Sequence, residues 1–243
     1  MKQTWKLVLD ILMGAVIPIL ILNNLSSRLG TVLTYVTAAL VPVIYILADT
    51  LFISRRFNVI TTYAALGAIV RGALAFWFVD GTLFAIKDCA SMFITVVAFL
   101  GSIMIGKPLM QFFMAQVFQA DTPEKRSKVR ALLAQPGVKN ALVVASTFVI
   151  AFSLIEATVN FSVVSAVVLA PFGTEDFNLQ VATAHAYTRI PFILGSLLAF
   201  GLGFWLTYRA VYKVLPSEQG KTQIESDIWD LINQWHPNVA NSG

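Results

Sequence analysis

Residues 31–53, TVLTYVTAALVPVIYILADTLFI, decide the fold class of this chain. No charged side chain occurs in the stretch before Asp49. An α-helix needs about 20 predominantly apolar residues to cross the roughly 30 Å hydrocarbon core of a bilayer. The stretch therefore predicts a transmembrane helix rather than an element of a water-soluble domain.

The apolar character extends over most of the chain. Hydrophobic residues make up 57% of the 243 residues and charged residues only 12%, against about 25% charged in soluble domains. The stretches long enough to span are 7–25, 31–53, 59–79, 82–105, 140–170 and 179–211. We therefore expect an all-α membrane protein with six transmembrane helices.

The distribution of positive charge predicts the orientation. With the N-terminus inside, 13 of the 17 Lys and Arg residues fall on the cytoplasmic side: Lys2, Lys6, Arg55, Arg56, Lys107, Lys125, Arg126, Lys128, Arg130, Lys139, Arg209, Lys213 and Lys221. Only Arg28 falls outside, where the loop 171–178 (PFGTEDFN) is acidic. By the positive-inside rule both termini are predicted to be cytoplasmic.

This organisation predicts a transmembrane domain over 1–213, with a cytoplasmic loop at about 119–138. Within the loop, Thr122 can cap a short helix that has Pro123 at its first position. A solvated loop and a helix lying on anionic lipid are both compatible with its basic residues.

Residues 214–243 form a predicted cytoplasmic tail with an amphipathic helix at about 222–235. Thr222 and Glu225 have the spacing of a capping box. One face of this helix is apolar: Ile224, Ile228, Leu231, Ile232 and Trp235. Because the opposite face is acidic and would be repelled by anionic lipid, we expect docking on protein, for instance on the basic loop. A solvated, frayed tail is the alternative.

Seven strongly polar side chains lie inside the predicted spans: Arg71, Lys87, Asp88, Glu156, Asn160, His185 and Arg189. A charged residue at mid-membrane costs about 2.5–3.5 kcal/mol on insertion scales, so these groups should pair or line a hydrated cavity. We expect one polar cluster in the outer half of the membrane, with Arg71 and Glu156 at its centre.

His185 and Arg189 are four residues apart and therefore share one face of the sixth helix. We predict that they neutralise Glu156 and Asp88. Two alternatives stay open at this point: interhelical pairing that only fixes packing, and snorkelling of Arg189 and Lys87 to the interface.

No motif for catalysis, metal or cofactor binding is evident. Cys89 is the only cysteine, and His185 and His236 are far apart in the sequence. Neither a Walker A loop nor a nucleophile elbow is present. We therefore expect a non-enzymatic protein without cofactor or metal, and the charge distribution does not favour a nucleic-acid partner.

One region resembles a known family. Residues 80–114, DGTLFAIKDCASMFITVVAFLGSIMIGKPLMQFFM, are similar to the part of the intracellular septation protein A family that ends in a K-P-L motif. Lys107, Pro108 and Leu109 carry the motif here, and Lys87 falls where the family has a lysine early in the same helix. The likeness extends remotely over about 31–211.

The resemblance implies a multi-pass protein of the bacterial inner membrane that acts in envelope synthesis or cell division through protein partners. Its expected partners are the lipid bilayer and envelope or division proteins, with a homo-oligomer left open. The alternative function is a small transporter or lipid-binding protein that uses the polar cluster.

Overall fold

The computed structural model describes residues 9, 11–53, 59–118, 120, 122–216 and 227–235. Its regular elements in these ranges are all helical, and no strand occurs there. The helices are α1 (Ile17–Asn24), α2 (Ser26–Leu29), α3 (Thr31–Ala48), α4 (Val59–Ala75), α5 (Gly81–Asp88), α6 (Ala90–Met104), α7 (Leu109–Val117), α8 (Pro123–Leu133), α9 (Pro136–Val167), α10 (Glu175–Val214) and α11 (Ile228–Gln234). π-helical turns precede α1 (Leu12–Val16) and follow α3 (Asp49–Ile53).

Among the described residues, three helices are long and apolar enough to cross a membrane: α3, α9 and α10. The consecutive helices α5 and α6 pass the same test together, although they are bent by 41°. The first and third predicted spans contain shorter apolar helices, at Leu12–Asn24 and Ala65–Ala75. By length and composition, the described residues thus contain three candidate membrane spans, or four if the bent pair counts as one span.

Large apolar side chains are exposed along these helices. Ile44 is 62% exposed, Val97 69% and Met104 79%. Extended apolar exposure is rare on soluble monomers and marks a surface that contacts another apolar phase. Such exposure is consistent with helices that contact lipid.

The predicted span over 82–105 is present as two helices, because the structure breaks it at Cys89. The backbone N–H of Cys89 is shared among the carbonyls of Ala85, Ile86 and Lys87, which tightens the last turn of α5. Helix α10, by contrast, continues through Pro191 without interruption. Helix α7 lies in a segment for which the sequence pattern predicted no element.

The chain forms two compact units. Unit 1 contains residues 1–97 and 151–197, and unit 2 contains residues 98–150 and 198–243. The core of unit 1 includes four aromatic rings, those of Tyr35, Phe84, Phe172 and Phe177, in edge contacts with centroids 5.1–6.2 Å apart. Edge-to-face pairs of this kind stabilise beyond their buried area. They hold α3, α5 and α10 together within unit 1.

Polar contacts also join the loops of unit 1. The side-chain amide of Asn178 donates to the carbonyl of Thr31 (2.8 Å) and to the hydroxyl of Ser26 (2.9 Å). The backbone N–H of Phe172 donates to the Asp80 carboxylate at 3.1 Å. The two bonds of Asn178 fix the start of α10 against α2 and the start of α3, and the third bond ties the loop before α10 to the residue that precedes α5.

Unit 2 buries the apolar face of α8. Val129, Leu132 and Leu133 are at most 2% exposed and pack with Met110 and Met114 of α7. Thr122 caps the helix as predicted, by accepting from the Lys125 N–H at 3.2 Å. Because its apolar face is buried in protein, α8 does not lie with that face in lipid.

The tail helix α11 packs on the same core. Leu231 and Ile232 are fully buried, and Lys128 donates to the side-chain carbonyl of Asn233 at 2.9 Å. The Lys125 ammonium lies 4.8 Å from the centre of the Trp229 ring. The apolar stripe of the tail thus docks on the basic helix α8 of its own chain.

Helix α11 is shorter than the predicted 222–235. Asp227 caps it by accepting from the Trp229 N–H at 2.7 Å. The predicted capping box, Thr222 and Glu225, lies outside the described residues.

Replacement of the buried Leu231 by Ala should release α11, since deletion of a buried Leu side chain costs about 2–5 kcal/mol. Amide hydrogen exchange at 228–234 in the purified protein measures this release. Asn233→Ala is the matched control, because it removes one exposed hydrogen bond from the same helix. Equal protection of the helix in both variants would contradict the docking.

Candidate functional site

Unit 1 contains a cavity of about 120 Å³. Its wall is formed by the π-helical turn at Leu12–Val16 and by side chains of α1, α3, α4, α5, α6 and α10. Much of the apolar wall consists of small residues, among them Gly14, Ala15, Ala38 and Ala39. A space of this size accommodates several water molecules or one small polyatomic ion.

Two prolines lie beside the cavity, where each removes one helical hydrogen bond. Pro18 has no N–H to donate to the carbonyl of Gly14, and Pro42 has none for the carbonyl of Ala38. Next to Pro18 the chain forms the π-helical turn Leu12–Val16, at whose end the backbone N–H of Ile17 donates to the carbonyl of Leu12. Both prolines line the cavity. The irregular turn and the small side chains therefore meet at the same place.

Asp88 is the centre of the polar wall. One of its carboxylate oxygens, Oδ1, lies 2.9 Å from Arg189 Nη2 and 3.3 Å from His185 Nε2. The other, Oδ2, accepts from Asn160 Nδ2 at 2.9 Å. The carboxylate therefore receives partners from α9 and α10, and it lies next to the break at Cys89. Asn160 Nδ2 also lies 3.6 Å from Cys89 Sγ.

These groups are largely removed from solvent. The side chains of Asp88, His185 and Arg189 are 12%, 15% and 24% exposed. Removing one partner of a buried ion pair costs about 3–5 kcal/mol, because it leaves a charge without compensation. Asp88 and Arg189 therefore each need the other, because neither charge is tolerated alone at this position.

Lys87 is held by different partners. Its ammonium donates to the carbonyl of Trp77 at 2.7 Å. It also lies 5.0 Å from the centre of the Tyr35 ring and 5.1 Å from that of Phe84. Ring faces and a carbonyl stabilise a cation without neutralising it. Lys87 thus contributes a positive charge to the cavity wall.

Arg71 lines the cavity but does not occupy the predicted centre of the cluster. Its side chain is exposed, and its Nε donates to the Gly67 carbonyl of its own helix at 3.4 Å. No carboxylate of the described residues lies within ion-pair distance of it. Its guanidinium is therefore available to a molecule in the cavity.

Glu156 is not part of the cavity wall, so the prediction that it forms the centre with Arg71 is wrong. It is 7% exposed and accepts from the Ser196 hydroxyl at 3.0 Å. Asn160 lies one helical turn further along α9, and a turn advances the chain by about 5.4 Å. That displacement places Asn160, and not Glu156, against Asp88. Of the two carboxylates predicted to be neutralised by His185 and Arg189, only Asp88 contacts them.

The family-like motif lies in unit 2, away from these residues in the chain. Lys107 is exposed, and Pro108 precedes the first turn of α7. The Leu109 N–H donates to the Ser102 hydroxyl at 2.8 Å. The motif therefore forms the turn from α6 into α7.

The charges of the cavity wall do not balance. Arg71, Lys87 and Arg189 are cationic, and Asp88 is the only carboxylate among the described lining residues. The formal excess is two positive charges with His185 neutral. In the part of the chain that the structure describes, no group of three His, Cys, Asp or Glu side chains is arranged to hold a metal ion. The excess of positive charge favours an anionic ligand.

Comparison with known proteins returned no match to a family model, to a curated protein or to a solved structure.

Asp88→Asn should destabilise the protein by about 3–5 kcal/mol, because it leaves Arg189 buried without a counter-charge. Glu156→Gln should cost less, since Gln can still accept from Ser196 and no cation loses its partner. Unfolding in detergent solution, followed by circular dichroism, measures both. The double variant Asp88→Asn with Arg189→Gln should recover part of the loss. Strict additivity of the two single effects would show that the charges are not coupled.

Proposed function

We propose that this chain is a multi-pass membrane protein that binds an anionic molecule in the cavity of unit 1. This proposal is based on the excess positive charge of the cavity wall, where the guanidinium of Arg71 is available to bind a ligand. A transporter or a lipid-binding protein would use such a site. This is the second of the two functions predicted from the sequence, and the cavity favours it over the first.

The ligand chemistry follows from the side chains present. Arginine offers planar paired donors that match phosphate and carboxylate oxygens, and its charge does not depend on pH in the physiological range. In a poorly hydrated site the attraction between such a cation and an anion is much stronger than in water. Arg71 is the first contact for the ligand, and Lys87 adds to the positive potential.

The size and lining of the cavity limit the ligand. Pockets for drug-sized molecules are typically about 300–1000 Å³, whereas this cavity measures about 120 Å³. A single phosphate, sulfate or carboxylate group fits. The group is either a free anion or the headgroup of an anionic lipid whose chains lie along the exposed apolar helices.

The membrane topology that we propose for this chain has six spans and both termini in the cytoplasm. The positive-inside distribution supports this orientation, and the apolar helices at Leu12–Asn24 and Ala65–Ala75 supply the cores of the two spans not counted among the long ones. A bacterial inner membrane is the proposed location. The family resemblance supports this location.

A second candidate function is the binding of protein partners in envelope synthesis or cell division. It is supported by the likeness of residues 80–114 to the septation protein A family. The exposed Lys107 lies in the turn that carries the shared motif. This function remains a prediction.

Arg71→Gln should weaken anion binding by about 10- to 100-fold, because a hydrogen bond to a charged group contributes about 1.5–3 kcal/mol. Isothermal titration calorimetry of the purified protein with sulfate and with soluble dihexanoyl phosphatidylglycerol measures the affinity. Binding of sulfate indicates a free anion as ligand, and binding of the phosphodiester alone indicates a lipid headgroup.

Arg28→Gln is the control for this experiment, since Arg28 is exposed and does not line the cavity. It should bind both probes like the unaltered protein. Equal affinities of the Arg71→Gln and Arg28→Gln variants would contradict the proposed site, as would the absence of any binding.

A further inference from the structure

One nitrogen of His185 lies between a donor and an acceptor. Nε2 is 3.0 Å from Arg189 Nη2 and 3.3 Å from Asp88 Oδ1. The same Nη2 group lies 2.9 Å from Asp88 Oδ1. The three atoms therefore form a triangle in which each is within hydrogen-bond distance of the other two.

The imidazole nitrogen cannot serve both neighbours at once. In the neutral ring with its hydrogen on Nδ1, Nε2 accepts from Arg189. When the ring is protonated, Nε2–H donates to Asp88 and no lone pair is left for Arg189. The two cations then repel each other, while both are attracted to the one carboxylate. Protonation therefore loosens Arg189 from His185 and adds a positive charge to the cavity wall.

We propose that an anion and a proton bind together at this cavity, the proton on Nε2 of His185. The proposal rests on the anion site described above and names how that site is regulated. The proton comes from hydronium in the solvent, whose O–H bond breaks and leaves neutral water as the Nε2–H bond forms. The charge of a monovalent anion is balanced by the new charge on the imidazolium. Arg189, released from His185, then shares the anion with Arg71.

The surrounding charges explain why the two events are coupled. The titratable and charged groups near His185 on the described elements are Asp88 and Lys87 of α5, Arg71 of α4, Tyr35 of α3, Arg189 of its own helix, and Cys89 at the break. The three cations oppose protonation of an empty cavity, and Asp88 alone favours it. A bound anion offsets the cations, so protonation becomes favourable when the anion is present. By reciprocity, the protein must bind the anion more tightly as the pH falls.

Calorimetry tests this directly in the unaltered protein. The probes are again sulfate and dihexanoyl phosphatidylglycerol, whose charges are constant between about pH 5 and 8, the range in which histidine ordinarily titrates. Titrations in two buffers of different ionisation enthalpy count the protons taken up per anion. We expect an uptake that approaches one proton, and an affinity that falls up to about tenfold per pH unit where His185 loses its proton.

His185→Gln should remove the coupling between proton binding and anion binding, because Gln can accept from Arg189 and donate to Asp88 but does not change its charge. This variant should still bind the probe, with no proton uptake and no dependence on pH. Binding without proton uptake in the unaltered protein, or unchanged uptake in His185→Gln, would overturn the coupling and leave the anion site standing. No binding at any pH in either protein would instead overturn the anion site itself.

Discussion

An ionised carboxylate among apolar helices needs hydrogen-bond donors and a positive charge directly beside it. Asp88 imposes this requirement on unit 1. Its two oxygens accept from Asn160 of α9 and Arg189 of α10, with His185 in contact. The partners come from different helices, so the electrostatic requirement also fixes how α5, α9 and α10 pack within the unit. Loss of the carboxylate would leave Arg189 buried and unpaired, which is far more costly than loss of an exposed ion pair.

The same requirement leaves the cavity with an excess of positive charge. Asp88 is shared between Arg189 and His185, and Lys87 is satisfied by a carbonyl and two aromatic rings. Arg71 therefore has no counter-ion among the described residues. The small residues and the two prolines of the apolar wall provide the space in front of it. A compensated pair and an uncompensated cation therefore lie on one wall of the cavity, and the proposed anion would offset the excess charge.

Sequence alone predicts the helical class and much of the polar cluster, since charged groups in an apolar run must either pair or face a hydrated cavity. Helical spacing correctly places His185 and Arg189 on one face, and both contact Asp88. The role of Glu156 was not predictable, because one helical turn decides which residue of α9 faces the cluster. The break at Cys89 has no proline or glycine beside it that would have predicted it. The cavity itself is lined largely by small side chains from several helices. Their meeting at one place could not be predicted, because it depends on how the helices pack.

The anion site is tested most directly by measuring whether a water-soluble thiol reagent reaches the cavity from the outside of intact cells. Cys89→Ser removes the only cysteine, and Ser91→Cys then places a thiol on the cavity wall. A membrane-impermeant thiol reagent applied to intact cells should modify this position, and sulfate should slow the reaction. Val97→Cys in the same background, on an exposed apolar face of α6, should not react. Equal, slow modification of both positions would contradict a hydrated anion site within the membrane.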